Sequence, residues 1–317
     1  MALEVKEISK QYGSFTALHP LSFTLNEPGV YALLGTNGAG KTTAIRIILG
    51  MLSRNSGEVL WNGKALSPVT EKVGYLAEER GLYPKYKINE QLTYFAKLRG
   101  MQKSDIEKSL KYWFARLELN GYEDKRAEQL SKGNQQKIQL VAALVADPEL
   151  LILDEPLSGL DPVNADLFKS VINEQIEKKK YIIMSCHQMP VIEEFCKDIT
   201  ILHHGSAVLQ GDLNEIKKGY GRVNLSVKCD GNVPVSYTHL RAHETVLAEC
   251  GLVPETITPD KLTFKIQSED QAGKLLKLII DSGMPLVHYE LREPSLHEIF
   301  VENIEKADKE AGRSGEI

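Results

Sequence analysis

The sequence predicts an α/β protein, a mainly parallel sheet flanked by helices, followed by a smaller α+β domain. Three observations carry this. Short apolar runs that suit strands buried on both faces, VYALL at 30–34, LLILD at 150–154 and YIIMS at 181–185, alternate with segments of helical period. A glycine-rich stretch, GTNGAGKT from Gly35 to Thr42, separates the first of these runs from a helical segment. Composition shifts at KKGYGR, 217–222, and beyond it elements follow in the order βαββαβ.

The elements follow in order. Residues 2–34 read as strands: LEVKEIS, then the alternating Leu21, Phe23 and Leu25, then VYALL. A helix covers TTAIRIILGML, and the charged stretch 85–128 has apolar residues at helical spacing, among them Ile88, Leu92, Phe95 and Leu98. Helices at about 132–145 and 163–178 flank the strand LLILD, and YIIMS follows. Beyond the linker we expect strand 222–228, helix 241–250, strands 252–258 and 261–267, helix 269–282 and strand 285–291, the split βαβ or ferredoxin-like pattern. A helix at 295–306 closes the series. The expected domains are 1–218 with a helical insert at about 85–145, a small domain at 219–303, and a disordered polar tail at 304–317.

Hydrophobic residues make up 42% and charged residues 26%, enough apolar material to exclude wholesale disorder. No run of 18 apolar residues is present, so no membrane span is expected, and Met1 to Lys10 lacks the apolar core of a signal peptide. The net charge of −5, without a basic block, counts against nucleic acid as a partner. The cysteines, Cys186, Cys196, Cys229 and Cys250, form no CxxC pair and fit a reduced cytosolic protein.

The chemistry begins at Gly35–Thr42, which matches G-x-x-x-x-G-K-[ST] between a buried strand and a helix. Successive backbone N–H groups of such a loop, with the helix N-terminus behind them, point at phosphate oxygens. Gly35, Gly38 and Gly40 let the backbone approach closely, and Asn37 and Thr43 belong to the same cradle. Lys41 supplies charge to the β- and γ-phosphates of ATP, and Thr42 a hydroxyl to Mg²⁺. The strand LLILD then ends in Asp154 and Glu155, where an open sheet places its ligands. Asp154 is read as a Mg²⁺ ligand through water, and Glu155 as the group that polarises the attacking water.

In order and spacing these motifs resemble the ATP-binding-cassette (ABC) ATPases over residues 1 to about 217. LSKGNQQK at 130–137 resembles the family's signature sequence, and SGLDP at 158–162 its D-loop. His187 resembles the switch histidine, and GYLAEERGLYP at 74–84 occupies the place of the Q-loop. Tyr12 lies where the family stacks an aromatic on adenine, although by itself it reads equally as a core or turn residue. LREPSLHEIFVE at 291–302 resembles the ending of a subgroup that serves ABC-2-type exporters of sodium, drugs or peptides. The resemblance implies a P-loop NTPase cassette with an N-terminal antiparallel β subdomain and helical insert, in which Lys41, Glu155 and His187 are catalytic. It implies two ATPase chains, a homodimer or heterodimer, closing head to tail on ATP, with Ser131 and Gly133 completing the second phosphate cradle in trans. By itself LSKGNQQK reads as an ordinary capped helix start. The resemblance further implies a separate membrane-spanning permease and a place on the inner face of the cell membrane.

Two departures stand out. The signature has Lys132 and Asn134 where the family has Gly and Gln, and the Q-loop has Glu78 where the family has Gln, so Glu78 is a candidate at the metal. A soluble ABC ATPase of translation or DNA repair is the main alternative, and a non-hydrolysing nucleotide-binding subunit another. One segment stands apart. PVSYTHLRAHET at 234–245 resembles a translated adapter sequence, and its His239 and His243 lack an evident third metal ligand.

Overall fold

The computed structural model describes residues 3–67, 73–78, 81–229, 252–257, 262–281 and 285–312. Contacts divide the chain into two units, Met1–Asp212 with Asn303–Ile317, and Leu213–Glu302.

In the first unit, strands β1 (Leu3–Tyr12), β2 (Phe15–Leu25), β4 (Ser56–Trp61) and β5 (Lys64–Ala65) form an antiparallel sheet ordered β2-β1-β4-β5. Its pairing sets inward residues opposite one another: Leu3 against Leu25 and Trp61, Val5 against Phe23 and Val59. All of these belong to one hydrophobic core. A residue of period two buried on one face is what an antiparallel sheet needs, and β2 repeats it at Leu21, Phe23 and Leu25.

The second sheet runs β10-β9-β3-β8-β7-β6, from β3 (Gly29–Leu34), β6 (Val73–Leu76), β7 (Leu150–Asp154), β8 (Tyr181–Cys186), β9 (Cys196–His203) and β10 (Ser206–Asp212). All neighbours are parallel except the β9–β10 hairpin. Every residue of β7 and β8 is buried, which explains their unbroken apolar sequence. Helix α1 (Lys41–Ile48) packs Ala44, Ile45, Ile47 and Ile48 into the core shared with the antiparallel sheet. The C-terminal ends of β3, β8 and β7 lie side by side, with Leu34 level with Cys186 and Asp154 with Ser185. That edge collects the phosphate loop, the two carboxylates and His187.

Helices α2 (Ile88–Leu98), α3 (Lys103–Arg116) and α4 (Lys132–Leu144) form the insert, and α5 (Pro162–Glu177) and α6 (Met189–Phe195) follow. In α2, Ile88, Leu92 and Ala96 are buried, whereas Leu98 is exposed. Ile88, Leu92 and Ala96 recur every four residues on one face, and Leu98 lies at the margin of that stripe.

The second unit contains α7 (Leu213–Tyr220), so part of the expected linker at 217–222 is helical. Strands β11 (Asn224–Cys229), β12 (Pro254–Ile257), β13 (Leu262–Lys265) and β14 (Leu286–Arg292) form an antiparallel sheet ordered β12-β13-β11-β14. The first and third strands are central, as a split βαβ fold requires. Helix α8 (Glu269–Asp281) sends Ala272, Leu275 and Ile279 into a core with Leu225, Val227, Leu262 and Phe264. The helix expected at 241–250 and the residues His239 and His243 lie outside the described residues. Helix α9 (Leu296–Glu310) begins in this unit, while its residues from Asn303 onward belong to the first. The expectation of a disordered tail from 304 is corrected: residues 304–310 are helical, and Ile304 and Asp308 are buried because the helix packs there. Among the described residues no helix is long and apolar enough to cross a membrane.

Candidate active site

After Leu34 the chain turns through GTNGAG, Gly35–Gly40, before α1 begins at Lys41. Two glycines are required here. A Cβ on Gly35 collides with the Leu202 carbonyl oxygen. Gly40, the N-cap of α1, holds φ at 106°, a conformation that strains any L side chain. With no side chain at Gly40, α1 has no side-chain cap, and its first N–H groups and positive dipole end are left for a ligand. A pocket of about 270 Å³ opens there, lined by Thr36, Asn37, Gly38, Ala39, Gly40, Lys41, Thr42, Thr43, Glu78 and Glu155.

Lys41 is buried. Its Nζ donates to the carbonyl oxygens of Gly35 at 2.7 Å and Thr36 at 3.3 Å, and lies 3.4 Å from Glu155 Oε1. Asp154, at the end of β7, is 1% exposed. Burial raises its carboxyl above the ordinary carboxylate range, an effect that hydrogen bonds from Ser185 and Thr42 oppose. The Ser185 hydroxyl donates to Asp154 Oδ1 at 2.5 Å, and Thr42 Oγ1 does so at 3.5 Å. Asp154 Oδ2 is buried without a hydrogen-bond partner. An unpaired buried carboxylate oxygen beside a threonine hydroxyl and a phosphate cradle suits a hard cation such as Mg²⁺.

Glu155 stands at φ 50°, a left-handed conformation unusual for glutamate. Its N–H donates to Ser185 Oγ at 2.9 Å, which fixes the turn. Its Oε2 lies 2.7 Å from His187 Nδ1, while Oε1 is buried, faces Lys41 and has no hydrogen-bond partner. Lys41, Glu155 and His187 therefore meet in one cluster at the ends of β3, β7 and β8. His187 is half exposed, so the cluster opens to solvent on its side.

Ser131 caps α4, accepting from Asn134 N–H at 3.3 Å, and Gly133 sits in the first turn, where a Cβ lies 3.3 Å from Asn164 Nδ2. Neither lines the phosphate-loop pocket of its own chain. Tyr12 ends β1 and is 52% exposed, with the Lys10 ammonium 5.0 Å over its ring. It is thus no core residue, and it too stands outside that pocket.

Sequence reasoning missed Ser185, which ties Asp154 to the Glu155 backbone, because the adjacency of β7 and β8 cannot be read from either strand alone. It also missed Gln91, which is buried and pins the 83–86 turn. Gln91 accepts from Tyr83 N–H at 2.8 Å and donates to the Tyr83 and Tyr86 carbonyls at 3.0 and 2.9 Å. A polar residue on the apolar face of α2 was the available signal.

Comparison with known proteins shows the family. Residues 18–158 match the family described as ABC transporter, and residues 211–304 match the DrrA1-3-like C-terminal domain of ATP-binding proteins. The chain is 41% identical over 303 residues to the ABC transporter ATP-binding protein YhaQ of Bacillus subtilis (strain 168), covering 95% of this chain and 98% of that one. It is 27% identical to the bacitracin transport ATP-binding protein BcrA of Bacillus licheniformis, over 95% of this chain and 97% of that one. A solved structure of the ATP-binding subunit of an ABC transporter superposes with a TM-score of 0.65 at 32% identity, covering 70% of this chain and 94% of that one. The chain belongs to the ATP-binding proteins of ABC transporters and is an ATPase of that family.

Proposed function

We propose that this chain powers an ABC-2-type exporter, hydrolysing ATP between two ATPase chains that close head to tail. The observation that carries the reading is Glu155, buried between Lys41 and His187 at the mouth of the phosphate loop. In hydrolysis a water oxygen attacks the γ-phosphorus, the bond to the β–γ bridging oxygen breaks, and the water's proton passes to Glu155. His187 holds the Glu155 carboxylate in place from its Oε2 side. Lys41 exchanges the Gly35 and Thr36 carbonyls for phosphate oxygens, a stronger, charge-assisted contact. Thr42 and Asp154 would hold Mg²⁺, which would supply positive charge against the phosphates. Glu78 lines the same pocket and adds a carboxylate where the family has an amide, so closure depends more steeply on Mg²⁺ than with glutamine.

Ser131 and Gly133 support closure in trans, since they begin α4 away from their own chain's phosphate pocket. Tyr12 would then stack on adenine from β1. A cavity of about 510 Å³ lined by Tyr83, Tyr86, Glu90, Gln91 and Tyr94 supports docking of a separate permease against the insert, on the inner face of the membrane. Its tyrosines are exposed, and Gln91 hydrogen-bonds across the turn that carries Tyr83 and Tyr86. The name of BcrA, a bacitracin transport ATP-binding protein, supports a drug or peptide as the transported substrate.

The test is Glu155→Gln, which keeps the shape but removes the proton acceptor. With Mg-ATP, size-exclusion chromatography should show a stable dimer for Glu155→Gln and mostly monomer for the parent. Two proteins that both run as monomers contradict closure of the isolated chain on ATP.

A further inference from the structure

We propose that His203, His204 and Asp308 form a binding site for a divalent transition metal of the Zn²⁺ class, separate from the nucleotide site. One donor atom from each of the three lies within 4.8 Å of the others. All three residues belong to the first unit.

The backbone builds this cluster at some cost. The β9–β10 hairpin turns through His204 and Gly205, at φ 46° and 77°. Two successive left-handed residues make the tight two-residue hairpin turn that glycine and asparagine enter with least strain. Successive side chains of a strand point to opposite faces, yet the left-handed turn brings the two imidazoles together, with centroids 4.1 Å apart. Against them the last turns of α9 bring Asp308, whose Oδ1 lies 2.9 Å from His203 Nε2 and 4.0 Å from His204 Nε2. The Asp308 and His203 side chains are only 9% and 10% exposed. The His203 nitrogen that faces Asp308 is Nε2, the donor offered to an ion; Nδ1, the other ring nitrogen, is buried without a hydrogen-bond partner.

Two imidazoles and one carboxylate are a donor set that suits Zn²⁺ and its neighbours rather than Mg²⁺ or Ca²⁺. Metal–donor bonds of about 2.0–2.2 Å at tetrahedral angles separate donors by about 3.3–3.6 Å. The distances of 2.9 and 4.0 Å straddle that spacing, so side-chain rotation suffices to close on an ion. His204 is more than half exposed, which gives the ion a path in and leaves a fourth position for water. A bound ion ties the last turns of α9 to the β9–β10 hairpin.

The test is calorimetric titration of Zn²⁺ into the full-length, chelator-treated chain without nucleotide, repeated with Co²⁺ and read by visible absorption. The parent should bind one ion in a component that is absent from Asp308→Asn. His204→Gln leaves the His203–Asp308 contact intact, and with it the packing of α9, so it stays interpretable if Asp308→Asn fails to fold. His204 is a direct ligand, so its loss should lower affinity at least as much as loss of an outer partner does, about tenfold or more. His288→Gln, on β14, should titrate like the parent. A parent that binds no Zn²⁺, or a Zn²⁺ component unchanged in His204→Gln, overturns the proposal.

Discussion

Helices α1 and α9 begin in opposite ways. At α1 the N-cap is Gly40, which offers no side chain, so the donors of the first turn face the phosphate pocket. At α9 Ser295 and Glu298 satisfy each other's backbone: Glu298 N–H donates to Ser295 Oγ at 3.3 Å, and Ser295 N–H donates to Glu298 Oε2 at 2.7 Å. Arg292 then clasps the same carboxylate through two donors at 2.8 and 2.9 Å. The start of α4 lies between these extremes, with one cap bond from Ser131. A helix start built for structure closes its own donors, whereas one built for a ligand leaves them open and recruits a buried cation beside them. In the second unit the same physics explains the ending LREPSLHEIFVE: its Arg, Ser and Glu are the parts of a capped helix start.

The largest expected effect breaks the open end. Lys41→Ala removes the only side-chain charge the loop itself carries and leaves Glu155 without its ion-pair partner. ATP hydrolysis should fall on the order of 10²-fold or more, as when a preorganised donor is removed. A steady-state ATPase assay showing parent-like turnover would place the site elsewhere.

The closed end should respond in stability instead. Ser295→Ala should cost about 1 kcal/mol of stability, the usual worth of an N-cap, and leave ATP hydrolysis unchanged. Chemical denaturation alongside the ATPase assay reads both, and a loss of turnover without a loss of stability would erase the contrast between the two helix starts.

The smallest effect is electrostatic. The Arg292 guanidinium, helped by the Ser295 donors, lowers the Glu298 carboxyl from its ordinary 4.5 to about 2. A carboxylate lowered by folding stabilises fully above its unfolded value and loses that contribution as pH falls toward its folded value. The parent should therefore lose stability relative to Glu298→Gln between about pH 4.5 and about pH 2. The side chain is partly exposed, so the difference should be small and should shrink with salt. Thermal melting of both proteins across that window is the check, and parallel melting curves would remove Glu298 from the account.

Much of this was legible in the sequence. VYALL, LLILD and YIIMS are β3, β7 and β8, because strands buried on both faces have no polar positions to blur the pattern. Lys41, Thr42, Asp154 and Glu155 could be named because each follows such a strand at fixed spacing. Ser185 could not, since its role depends on which strands are neighbours, a long-range property. The ordered end of α9 was also hidden: residues 304–310 are mostly polar, and the buried Asp308 among them meets His203, 105 residues away in the chain. The capping box, in contrast, stood in the sequence as Ser295-x-x-Glu298 and was overlooked within a longer motif.

The proposed closure requires the open helix start of one chain to be completed by the Ser131 helix start of another. Mixing two inactive variants tests it most directly. Lys41→Ala disables the phosphate loop, and Ser131→Arg blocks the signature helix start. A head-to-tail pair of one Lys41→Ala chain and one Ser131→Arg chain holds one site with both parts intact. The mixture should therefore hydrolyse ATP faster than the sum of the two proteins assayed alone. A mixture whose rate equals that sum would mean that each chain builds its site alone, and would contradict the account.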